Sequence, residues 1–147
     1  MPYTLNQIIK KVEDIATNHK QINSFGFGDL HEFSTEAKAM PCLWMELNTG
    51  SIDVEDQSFK YNFSLYFLDL VHKDETNETE VLSDQALIAS DVYTLLDDED
   101  NADNFLLEKT AALEFFTERT DDEVSGCKLD IVIKTKFLRK DCEIPTA

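Results

Sequence analysis

From Leu5 to Ala16 the apolar residues Leu5, Ile8, Ile9, Val12, Ile15 and Ala16 recur at steps of three and four, which gathers them on one helical face. Thr4 followed by Gln7 is a capping-box pair, so the pattern predicts an amphipathic helix over Thr4 to Asn18. Lys10, Lys11, Glu13 and Asp14 fall on its solvated side. Phe25, Phe27 and Phe33 then share a parity and predict a first strand, with Gly26 and Gly28 marking a bulge or a close backbone approach. A second strand runs from Cys42 to Leu47, directly after Pro41. Cys42 and Trp44 point to one side of it, and Leu43, Met45 and Leu47 to the other. Asn48 to Ser51 reads as a turn, which Asp53 to Asp56 prolongs into an acidic loop.

The clearest alternation follows. Phe59, Tyr61, Phe63, Leu65 and Phe67 interleave with Ser58, Lys60, Asn62, Ser64 and Tyr66, predicting a strand with one face in the core and the other in water. After a polar loop from His72 to Glu80, Leu82, Ala86, Ala89, Val92, Tyr93 and Leu96 form a helical stripe that Val81, Ile88 and Leu95 widen. Asp97 to Asp100 stop this second helix, although acids at a helix C-terminus oppose the macrodipole. Two further strands are predicted, over Phe105 to Thr117 and Val124 to Phe137, joined by a hairpin loop at Arg119 to Glu123. A polar tail begins at about Leu138. The order α-β-β-β-α-β-β gives an α+β fold with a mainly antiparallel sheet and two helices packed on one face.

Length and charge narrow the class. The 147 residues suit one domain, and 42% hydrophobic residues with ten Phe and four Tyr are enough for a real core. A net charge of −17 opposes binding to nucleic acid or anionic lipid, because both need clustered Lys and Arg. No stretch approaches the ~20 apolar residues of a membrane span, and Met1 to Lys20 lacks the features of a signal peptide. Cys42, Cys127 and Cys142 are odd in number without C-x-x-C spacing, which predicts reduced and mostly buried thiols.

Catalytic signatures are missing. The sequence holds no G-x-S-x-G, phosphate loop or G-x-G-x-x-G, and His19, His31 and His72 lack the i, i+4 spacing of a zinc-binding helix. Asp97, Glu99, Asn101, Asp103 and Glu108 fall at positions 1, 3, 5, 7 and 12 of a calcium-loop register. However, Ala102 stands where the sharp turn needs Gly, so a solvated acidic loop is the simpler reading. No cofactor or metal is expected. Assembly is the remaining class, with Tyr66, Phe115 and Phe116, and Tyr93 if exposed, as aromatic interface candidates against ordinary core packing.

The Thr4-Leu5-Asn6-Gln7-Ile8-Ile9 helix, the aromatic strand from Phe59 to Leu70, the Val81 to Leu96 helix and the paired C-terminal strands together resemble the tail-terminator or tail-completion proteins of tailed bacteriophages. The resemblance lies in the order of elements across nearly the whole chain, without a diagnostic motif. It implies a non-enzymatic virion protein, a single tail-terminator-like domain forming a ring at the head–tail joint. Such a ring, usually a hexamer, meets head-completion, portal or tail-tube proteins and lets DNA pass without gripping it. A dodecameric adaptor ring of a short-tailed phage is the related alternative. On this reading Asp53, Glu55, Asp56, Asp97, Asp98, Glu99, Asp100, Asp121 and Asp122 are candidate lumen or interface acids, since an acidic wall repels phosphate. The competing class is an acidic DNA mimic that occupies a basic host partner.

Overall fold

A computed structural model of the chain describes residues 2–29, 39–70, 77–98, 101, 103–117 and 124–137. Helix α1 (Leu5–Asn18) opens with the expected capping box: the Gln7 side chain accepts from the Thr4 amide at 2.8 Å, and the Thr4 hydroxyl accepts from the Gln7 amide at 3.4 Å. Strand β1 (Ser24–Phe27) leads to the long strands β2 (Cys42–Asp53) and β3 (Ser58–Leu70). Helix α2 (Glu78–Leu96) follows, and then β4 (Leu106–Leu107), β5 (Ala112–Phe116) and β6 (Val124–Lys136) complete an α+β chain.

The strands form one sheet in the order β1-β2-β3-β6-β4, with β5 also paired to β6. Only β1 and β2 run parallel; the other pairs are antiparallel. Both helices lie on one face. Ile8, Val12, Ile15 and Ala16 of α1 and Ile88, Ala89, Val92 and Leu96 of α2 pack with Leu43, Met45, Phe63, Leu65, Phe67, Leu129, Ile131 and Ile133. Each fully buried Leu, Ile or Phe in this layer contributes about 1.5–3 kcal/mol, which makes it the main source of stability.

Three strand boundaries differ from those expected. The turn residues Asn48 to Ser51 continue β2, because a bulge between Leu47 and Thr49 absorbs the extra residue and Gly50 still pairs with Tyr61. The turn itself is Val54 to Gln57, with Gln57 at a φ of 51°. The run from Phe105 to Thr117 is divided into β4 and β5, both held on β6. Phe33, the His72 to Thr76 part of the polar loop, the Arg119 to Glu123 loop and the tail from Leu138 lie outside the described residues.

The second face of the sheet is not uniformly wet. At one end Cys42, Trp44, Tyr66, Leu68, Phe116 and Val124 form a separate apolar cluster, with Met40 against it. At the other end the same face carries Lys60, Asn62, Val132 and Lys134 in neighbouring register positions.

Candidate functional site

The interface candidates divide according to strand parity. Tyr66 is paired with Trp44 on one side and Lys128 on the other, which directs it to the second face. There it is 5% exposed, and its ring meets Phe116, itself 8% exposed, edge-on at 6.2 Å. Both aromatics are therefore packed within the chain and are not open anchors. The Tyr66 hydroxyl donates to Glu46 at 3.4 Å, and Trp44 Nε1 donates to the Gly28 carbonyl at 3.0 Å. Phe115 has the opposite parity. It lies opposite Cys127 on the helix-bearing face and is 50% exposed, with Leu113 two residues before it also exposed on that face. Tyr93 is half-buried and donates its hydroxyl to the Glu108 carbonyl.

The acids separate in the same way. Asp53 and Glu55 are exposed at the tip of the β2–β3 hairpin. Asp56 is instead tied down: it pairs with Lys134 and accepts from the Ser58 hydroxyl at 3.1 Å. These donors hold the Asp56 carboxyl below the usual carboxylate range, and the carboxylate in turn raises Lys134. Asp97, at the C-terminal end of α2, pairs with Lys109, and Asp98 is exposed beside it. Glu99, Asp100, Asp121 and Asp122 lie outside the described residues.

Beyond the apolar cluster, the second face is a mixed-charge ladder. Lys60 approaches Glu108 at 4.0 Å, and Lys128 lies 3.7 Å from Asp130 and 4.0 Å from Glu114. Beneath them Asn48 Nδ2 donates to the Ser64 hydroxyl at 2.6 Å, and Ser64 donates to Asp130 at 2.7 Å. That relay satisfies the fully buried Ser64. Exposed ion pairs of this kind hold register and contribute little energy.

Three residues of the calcium-loop register, Asp97, Asn101 and Glu108, are used structurally. Asn101 is buried and its Nδ2 donates to the Leu95 and Leu96 carbonyls at 3.3 Å, which satisfies carbonyls that the end of α2 leaves open. Asp97 is engaged with Lys109, and Glu108 reaches toward Lys60. Among the described residues no three His, Cys, Asp or Glu side chains are grouped to hold a metal ion. His19 pairs with Asp91 at 3.0 Å, joining the end of α1 to α2. Cys42 and Cys127 are buried, and burial pushes the Cys127 thiol up to about 12, where it is unreactive at neutral pH. His31, His72 and Cys142 lie outside the described residues. Among the described residues no helix is long and apolar enough to cross a membrane.

Sequence reasoning missed the hairpin tip. Ile52 is 64% exposed and Val54 77%, flanked by Asp53 and Glu55. The signal was present as two β-branched residues, Val54 inside the stretch read as an acidic loop and Ile52 just before it. A groove of about 630 Å³ on the helical layer, lined by Lys11, Ile15, His19, Lys20 and Leu95 among others, was also not foreseen. No protein-family model and no curated protein sequence matches this chain.

Proposed function

We propose that the protein is a non-enzymatic assembly subunit, forming a ring at the head–tail joint of a tailed bacteriophage. One observation carries this reading. Large exposed apolar side chains stand at separated points of the surface, among them Ile52 and Val54 at the hairpin tip and Leu113 and Phe115 on the strand β5. Contacts at separated points let one copy meet two neighbours at once, as a head-to-tail ring requires. Neighbouring head-completion, portal or tail-tube proteins, and a place in the virion, belong to the same proposal.

The charge supports a passage for DNA over a grip on it. A surface with a net charge of −17 repels phosphate, and Lys60, Lys128 and Lys134 of the second sheet face are each paired with an acid. A DNA mimic needs a continuous acidic face, whereas the open face of this sheet alternates in sign. Negative-stain imaging of the purified protein tests the reading. Closed rings with an open centre are expected from the unaltered chain, and a mobility-shift assay at physiological salt should show no retention of duplex DNA. Phe115→Asp, on an exposed side chain, should leave the monomer folded and reduce the yield of rings; isolated monomers at every protein concentration from the unaltered chain would contradict the proposal.

A further inference from the structure

The hairpin tip and the helical groove are complementary in polarity and charge. The tip reads Ile52-Asp53-Val54-Glu55, with two exposed apolar side chains alternating with two exposed acids. The groove has an apolar floor, Ile15 and the half-exposed Leu95, between the second half of α1 and the last turns of α2. Lys11 and Lys20 also line it. Of the described basic residues, Lys10, Lys60, Lys109, Lys128 and Lys134 are each in an ion pair, while Lys11, Lys20 and Lys136 are in none among the described residues. Two of these three lysines therefore border one apolar groove of a strongly acidic molecule. Asp14, which also lines the groove, is engaged with Lys10, and Asp91 is engaged with the lining residue His19.

The tip does not fill its own groove. Val54 and Leu95 are both exposed, and the β2–β3 ladder, with β6 paired along the whole of β3, fixes the hairpin in the sheet. From Cys42 to Asp53 the ladder spans about 36 Å at the usual rise of an antiparallel strand, a stiff arm and not a loop able to fold back. We propose that the hairpin tip of one copy docks into the α1–α2 groove of the next, with Val54 against Leu95 and Ile15 and with Asp53 and Glu55 beside Lys11 and Lys20. The contact joins two different surfaces, so it is heterologous and repeats from copy to copy until the rotation closes a ring. It rests on the assembly reading above and names the contact that drives it.

The test uses native mass spectrometry of the full chain and of variants at exposed positions. Val54→Asp and Leu95→Glu should each leave the thermal midpoint of the monomer in place and weaken self-association by about ten- to hundredfold. Mixed together, the two variants should give a heterodimer and nothing larger, because one intact tip and one intact groove remain between them. Glu55→Lys or Lys20→Glu alone should lower the oligomer fraction, and the two combined in one chain should restore it. Rings from the unaltered chain that persist in Val54→Asp and Leu95→Glu would overturn this contact and leave the assembly reading standing. A chain that stays monomeric throughout would overturn both.

Discussion

Gly126 sits opposite Leu68 in the middle of the sheet, where an added Cβ would come 1.8 Å from the Phe67 carbonyl oxygen. The obstacle is backbone of a central strand, which cannot rotate aside as a side chain would. Gly126→Ala should therefore destabilise the fold by about 3 kcal/mol, read as a lower urea midpoint. An unchanged midpoint would mean that β3 and β6 are not paired in this register. Asp69 makes a prediction of the opposite sign. Burial pushes its carboxyl up, with Asp84 adding to the effect, although the Leu70 amide donates to it at 2.8 Å. The folded state thus holds this proton to higher pH than the unfolded chain, and stability falls as pH rises from the ordinary value of 3.8 through the raised one. Asp69→Asn keeps the bond to the Leu70 amide and removes the charge. Its melting midpoint should rise at pH 7 and match the parent at pH 3, where both side chains are neutral.

At the scale of elements, α1 depends on its cap. Thr4 and Gln7 satisfy each other's amides, so Thr4→Ala should cost about 1 kcal/mol, measured by thermal unfolding, without altering the packing of Ile8 and Val12. The helices and the core face of β3 were legible in the sequence because their side-chain periods are regular and local. The second apolar cluster was not, because the polarity of one strand face changes along its length. On β3 the positions Ser58, Lys60, Asn62 and Ser64 are polar, and Tyr66 and Leu68 on the same side are not. Whether that side is wet at Tyr66 depends on what β2 and β6 bring beside it, which is a long-range register. The same dependence took Tyr66 and Phe116 out of the set of open interface residues and left Phe115 in it. Turn residues misled for a related reason: Asn48 to Ser51 have turn chemistry, but a bulge let the ladder continue through them.

The whole molecule combines a rigid two-layer fold with a net charge of −17, and these act in opposite directions on assembly. Exposed apolar side chains at the tip and on β5 favour contacts between copies, while like charge holds bare subunits apart at low ionic strength. Salt shortens the range of the repulsion and leaves apolar burial intact, so self-association should increase with salt before local ion pairs weaken. Native mass spectrometry of the purified chain across a salt series tests the central claim most directly. Rings, of six or twelve copies, that grow in population as salt rises are the expected result. A strict monomer at every salt and protein concentration would contradict the account of this protein as a self-assembling ring subunit.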